Sequence, residues 1–330
     1  MTLLSRTDAI AQMNALGAAA RPFLFVIDYA EEQILVQPLN EVDPKEIRYA
    51  FPQFNNCPTT SERPDASATP LWEPQPPTLE AYTRSFQIVK NNLHAGNSFL
   101  TNLTCHIPLH TNLSLSQLFE RTTARYRLWW RDRFVCFTPE TFVRIRDGEI
   151  SSYPMKGTAP DTTPDAAQRL LSDPKERAEH ATIVDLIRND LSIIATEVEV
   201  RRYRYIDRLE THRGPLLQTS SEIVGQLPVD YPSRLGDLFF HLLPAGSITG
   251  APKPKTCAII AEAETHPRGY YTGVMGIFDG RNLDSAVMIR FVEQTTDGSL
   301  AFKAGGGITC RSILEKEYEE ILHKVYLPLR

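Results

Sequence analysis

Nothing in this 330-residue chain offers a ready site for a nucleotide, a nucleic acid or a bilayer. No Gly-x-Gly-x-x-Gly occurs, and the stretch Pro244–Lys253 lacks the Gly-Lys-Ser/Thr of a phosphate-binding loop. The formal net charge is -5, which leaves no basic footprint for nucleic acid. No apolar run approaches the roughly 20 residues that span a membrane. The cysteines (Cys57, Cys105, Cys136, Cys257, Cys310) are scattered, odd in number and form no CxxC pair. That argues against a zinc ribbon or disulfide framework and for a reducing, cytoplasmic compartment. The first 20 residues are broken by Asp8, Gln12 and Asn14 and make a poor secretion signal.

What is present is an ordinary globular mixture, 42% hydrophobic and 23% charged, so a large core needs no staple. Phe23–Ile27 and Ile34–Gln37 read as strands. Phe51–Pro77 is rich in Pro, Ser, Thr and Asn and reads as a loop. Tyr82, Phe86, Val89 and Leu93 at helical spacing, with Thr78 as N-cap, predict a helix to His94. Further helices are predicted over 174–191, 235–243, 255–263 and 313–326. Strands are predicted over 99–105, 134–137, 142–145, 150–153, 197–205, 221–227, 273–278, 284–293 and 300–303. The mixed order of elements points to α+β with antiparallel sheets rather than a doubly wound parallel sheet. Residues 1–77 are expected to be a short segment packed on the same domain as a catalytic region over 78–330.

Four features carry candidate chemistry. Tyr153-Pro154-Met155-Lys156-Gly157-Thr158 sets a lysine before a Gly-Thr turn at a strand end. An amine whose pKa falls from about 10.4 through burial or a neighbouring cation can act as a nucleophile, whereas the plain alternative is a surface lysine. Two helices each carry Glu-x-x-Glu, Glu176/Glu179 and Glu317/Glu320, with Lys324 on the flank of the second pair. Acidic pairs bordering buried faces suit a hard cation such as Mg2+, and otherwise are solvated helix surface. The Pro244–Lys253 run, which includes Thr249, and Ala304-Gly305-Gly306-Gly307-Ile308 offer backbone amides to an anion, or are two tight turns. Arg290 ends a period-two run, Ala286, Met288, Arg290, and awaits a carboxylate from protein or ligand.

In this order the motifs resemble those of the chorismate-utilising enzymes, most closely the aminodeoxychorismate synthase component I branch. The matching pieces are FTPETF, YPMKGT, KERAEHATIVDLIRNDL, PAGSITGAPK, RGYYTGVMG, AGGGIT and EKEYEEILHK. The resemblance implies a single large domain of two packed antiparallel sheets with helices outside. It implies Mg2+ held by Glu179 and Glu320, with Glu176 and Glu317 acting through water. The enolpyruvyl carboxylate of chorismate would meet Arg290, Tyr271 and the Gly305, Gly306 and Gly307 amides. The ring carboxylate would meet Mg2+ and the Gly157 and Thr158 amides, with Thr249, Lys324 and Gln218 also against substrate.

Members of this family with lysine at the position of Lys156 make 4-amino-4-deoxychorismate, and the implied role of Lys156 is nucleophilic attack at C2. Glu140 would handle the proton of the departing C4 hydroxyl. Gln218 stands where related enzymes that eliminate pyruvate carry a histidine, so a separate downstream lyase is expected. Ammonia would come free or from a separate glutamine amidotransferase subunit. The competing readings are anthranilate synthase component I and a non-catalytic amidotransferase-docking subunit.

Overall fold

The computed structural model describes residues 2–58, 70–209 and 215–327. Much of the Pro/Ser-rich loop expected over 51–77 therefore lies outside the described residues. Two antiparallel sheets are stacked. The nine-stranded sheet runs Met155–Pro160, Leu216–Gln226, Glu149–Ser152, Thr141–Arg146, Leu283–Val287, Val274–Phe278, Phe23–Ile27 and Ile34–Pro38, with Thr196–Leu209 also on Leu216–Gln226. The eight-stranded sheet runs Gly250–Ala251, Leu100–Thr111, Leu300–Ile308, Phe291–Gln294, Phe134–Thr138, Tyr126–Trp130 and Ile47–Ala50, with Trp72–Pro74 also on Leu100–Thr111.

Period-two alternation explains the layering. In Phe23–Ile27 every residue is buried, because both faces are covered. Phe23, Phe25 and Ile27 face the core under the helices Arg6–Ala18, Pro174–Ser192 and Leu235–His241. Leu24 and Val26 instead meet Leu128, Trp130, Phe134 and Met275 between the sheets. A third core joins the helices Leu79–His94, Lys253–Ala263 and Leu314–Lys324 to the outer face of the eight-stranded sheet. Thr78 caps its helix by accepting from the Ala81 amide, and Tyr82, Phe86, Val89 and Leu93 are its buried stripe, as the spacing predicts. No helix among the described residues is long and apolar enough to cross a membrane.

Four local expectations are corrected. Ala304–Ile308 is not a turn: it continues the strand Leu300–Ile308, whose every residue is paired with Leu100–Thr111 through the register Leu300↔Leu109 to Ile308↔Thr101. Gly157-Thr158 likewise lies inside the strand Met155–Pro160, at a register shift opposite Leu216–Gln226, with Gly157 at φ +83°. The predicted strand over 284–293 breaks after Val287, and the chain crosses from one sheet to the other before Phe291. Arg290 sits in that crossing at φ +53°, a backbone region uncommon for arginine. Finally, Arg6–Ala18 is a helix that the sequence reading did not anticipate. It buries only small or flexible residues, Ala9, Met13 and Gly17, and so shows no strong apolar stripe.

Candidate active site

The site forms where the glycine end of Leu300–Ile308 meets two helices and the bulged strand Met155–Pro160. Gly305, Gly306 and Gly307 have no side chains to separate their neighbours. A Cβ on Gly306 would stand 3.8 Å from Glu320 Oε1 and 3.9 Å from both Glu317 Oε2 and Lys324 Nζ. A Cβ on Gly307 would stand 3.9 Å from Lys156 Nζ, and one on Gly157 would collide with Glu176 Oε2 at 2.6 Å. Successive residues of a strand point to opposite faces. The glycine strand therefore lets the Glu317/Glu320/Lys324 group and Lys156 both approach its backbone, close enough for the Glu320 charge to act on Lys156.

Lys156 Nζ lies 3.1 Å from Glu179 Oε2, with the two side chains 31% and 15% exposed. Burial pulls the Lys156 amine down, but the charges of Glu179, Glu320 and Glu176 together hold its pKa above the ordinary lysine value. This differs from the lowered pKa that a free nucleophile calls for, and the cause is three carboxylates where the sequence reading invoked a cation or burial. On the helix Leu314–Lys324, Lys324 Nζ pairs with Glu320 Oε1 at 2.7 Å and donates to the Gly305 carbonyl at 2.8 Å. Burial pushes Lys324 below the usual lysine range, opposed by Glu320 and reinforced by Arg290 and Lys156. Glu317 is buried, at 6% exposure.

Glu140 accepts a hydrogen bond from Ser247 Oγ at 2.8 Å. Burial raises its pKa, and the Ser247 bond with the charges of Arg290, Lys324 and Lys156 offsets only part of that rise. A carboxyl whose pKa is raised by burial beside three cations is a candidate for general-acid work. Tyr271 is buried, its hydroxyl raised by burial and drawn back by Arg268 and Arg290. Gln218 lies opposite Thr158 in the strand register, next to Thr219, whose hydroxyl bonds the Lys156 carbonyl. Thr249 is fully buried and its Oγ1 has no hydrogen-bond partner; the same is true of Arg290 Nε.

All four glutamates offer hard oxygen donors of the kind Mg2+ takes. No group of three acidic, histidine or cysteine side chains among the described residues is gathered tightly enough to be a formed metal centre. Ammonium groups hold the carboxylates instead, Lys156 on Glu179 and Lys324 on Glu320. The donor chemistry of the four carboxylates fits a divalent cation, which would compete with those ammonium groups for Glu179 and Glu320.

Sequence reasoning missed His180. Its ring is fully buried, its Nε2 lies 2.7 Å from Ser221 Oγ, and burial followed by the Arg204 charge lowers its pKa to about 4. This neutral imidazole ties the Pro174–Ser192 helix to the strand Leu216–Gln226 one residue from Glu179. Its adjacency to the Glu-x-x-Glu pair in the sequence was the available signal. A second unforeseen element is the buried Arg268–Glu264 pair at 2.7 Å, whose Arg268 also donates to the Ile248 and Asn102 carbonyls.

Residues 12–330 match the family model described as chorismate binding enzyme, and the chain belongs to that family. It is 49% identical over 321 residues to an uncharacterised PabA-like protein of Haemophilus influenzae, covering 97% of this chain and 96% of that one. It is 29% identical over 339 residues to aminodeoxychorismate synthase component 1 of Klebsiella aerogenes, covering 98% and 72%. Among solved structures it is similar to anthranilate synthase component I from Streptococcus pneumoniae, with a TM-score of 0.64 and 25% identity over 77% of this chain and 58% of that one.

Proposed function

We propose that this chain is the component I of an aminodeoxychorismate synthase, aminating chorismate at C4 with ammonia to give 4-amino-4-deoxychorismate for 4-aminobenzoate and folate synthesis. The observation that carries the reading is the Lys156 amine beside the glycine strand, 3.1 Å from Glu179 and 3.9 Å from where a Cβ on Gly307 would stand. The Lys156 amine attacks C2. The electron pair moves through the two ring double bonds and expels the C4 hydroxyl, which takes the Glu140 proton and leaves as water. The attached Lys156 nitrogen gives up a proton and becomes a secondary amine. Ammonia then attacks C4, the electron pair returns, and Lys156 leaves C2 with a proton restored. Glu140, now ionised, takes a proton from the new C4 ammonium, so the sum is chorismate plus ammonia giving product plus water.

Glu179 and Glu320, with Glu176 and Glu317, would hold Mg2+, whose positive charge would bind the ring carboxylate and offset the anionic charge around Lys156. The carboxylates that raise the Lys156 pKa are the same groups, so their engagement by a metal would leave burial, which favours the neutral amine, as the larger influence. Arg290 and Tyr271 bind the enolpyruvyl carboxylate. Gln218 cannot abstract a C2 proton, so pyruvate stays on the product and a separate lyase must remove it. The family likeness to anthranilate synthase supports a second reading, but the pairing of Lys156 with Gln218 favours C4 amination. Ammonia comes from a separate glutamine amidotransferase or from solution, and the reaction is placed in the cytoplasm.

The test is a covalent adduct. Protein quenched in acid during incubation with chorismate and Mg2+, without ammonia, should carry the mass of chorismate less water on the peptide containing Lys156. An unmodified Lys156 under conditions that support turnover with ammonia would remove the nucleophile role.

A further inference from the structure

We propose that Asn102 is a further substrate-binding residue, whose side-chain carbonyl accepts a hydrogen bond from the C4 hydroxyl of chorismate. The inference deepens the proposed function and rests on chorismate as the ligand of this site. Asn102 lies on Leu100–Thr111, opposite Gly307 in the strand register, so both residues face the same way. From that face Lys156 Nζ stands 3.9 Å from the Cβ position of Gly307. The Asn102 amide leans over the neighbouring Gly305, with Oδ1 2.9 Å from where a Cβ there would stand. Any side chain at Gly305 would displace it.

The Asn102 backbone is held at both ends. Its N–H donates to the Thr249 carbonyl at 2.9 Å and its carbonyl accepts from Arg268 Nη2 at 2.7 Å. Its side-chain Oδ1 is buried and has no hydrogen-bond partner. Buried polar atoms without partners are costly, and a rigid one in a ligand site is explained by the ligand. Four of these atoms occur on residues described for this site, Asn102 Oδ1, Thr249 Oγ1, Arg290 Nε and His180 Nδ1. They differ in what they can accept. Arg290 can only donate, Thr249 can do either, and His180 Nδ1 donates or accepts according to its tautomer, whereas Asn102 Oδ1 can only accept.

Chorismate at neutral pH has two ionised carboxylates and one ether oxygen, all acceptors. Its single hydrogen-bond donor is the C4 hydroxyl. An unpartnered acceptor on the face of the glycine strand that Lys156 approaches therefore matches that one group. By taking the hydroxyl hydrogen, Asn102 turns an oxygen lone pair away from itself and leaves it available for the proton that Glu140 delivers. The C4 amine of the product can donate to the same oxygen, so the contact survives the reaction.

The experiment compares two ligands on two proteins. Binding of chorismate, and of an analogue with hydrogen in place of the C4 hydroxyl, is measured by calorimetry with Mg2+ for Lys156→Ala and for Lys156→Ala with Asn102→Leu, since neither protein can form the covalent adduct. Leucine keeps the side-chain volume and removes the acceptor. Chorismate should bind roughly tenfold more weakly to the variant, with the analogue changed by less than about twofold. Equal losses for both ligands, or no loss for chorismate, would overturn the assignment. Should Asn102→Leu fail to fold, Asn102→Ala takes its place in the same comparison. An Asn102 that only packs gives a variant of equal or greater thermal stability with unchanged affinity, which is also a refutation. Because no nitrogen is transferred, the result stands apart from the regiochemistry: anthranilate formation by the wild type would defeat the proposed function without altering this readout.

Discussion

The two Glu-x-x-Glu helices reach the same site in different states. On Leu314–Lys324 the carboxylate Glu320 is paired within its own helix, to Lys324 four residues on. On Pro174–Ser192 the carboxylate Glu179 is paired to Lys156, which arrives from a strand of the nine-stranded sheet. One acidic pair thus carries its own counter-charge, and the other borrows the residue proposed to do the chemistry. An internal i,i+4 pair is local to its helix and does not need another element to be docked. The Lys156–Glu179 contact exists only when the bulged strand and the helix are docked, so it couples the fold of that corner to the state of the lysine.

Substitutions can break this asymmetry. Lys156→Ala should cause the largest loss, with C4 amination falling by roughly 10³-fold or more while chorismate is still bound, checked by single-turnover kinetics. Near-normal rates would leave Lys156 as the counter-ion of Glu179 and nothing more. Glu140→Gln should cost roughly 10²-fold. The raised pKa of Glu140 gives the sign of the pH effect. The acid form is present below that pKa, so the wild-type rate falls as pH rises through it, and the Gln variant loses that limb of the profile.

Glu320→Gln should raise the Mg2+ concentration needed for half-maximal activity by roughly 10- to 100-fold. An unchanged metal requirement would put the cation elsewhere. Lys324→Met should have the smallest effect of this set, because the Glu320 counter-charge can be replaced by the metal. A few-fold change in KM is expected from lost support of the Gly305 carbonyl, measured as a KM-against-kcat split.

The same contrast explains what could be read from the sequence. Glu317, Glu320 and Lys324 fall on one flank at helical spacing, so local periodicity alone groups them. The meeting of Lys156 with Glu179 has no local signal and follows only from the register of Met155–Pro160 on Leu216–Gln226. Glycine misleads in the opposite sense. Ala304–Ile308 has turn composition, but full pairing with Leu100–Thr111 satisfies its backbone, and the missing side chains serve to let Lys156, Asn102 and Glu320 approach. Arg290 was assigned to a strand because apolar alternation persists through Met288, while the sheet-to-sheet crossing is set by a backbone angle that composition does not encode. The fold class, by contrast, is legible from the order of elements, since mixed helices and strands with short links leave antiparallel pairing as the simple solution.

The measurement that bears most directly on the account is product analysis of the purified chain with chorismate, Mg2+ and excess ammonium at alkaline pH, by liquid chromatography with mass detection. The account predicts a product that yields 4-aminobenzoate only when an aminodeoxychorismate lyase is added. Anthranilate formed without any added lyase would contradict it, because Lys156 would then not set the position of amination and Gln218 would not prevent elimination.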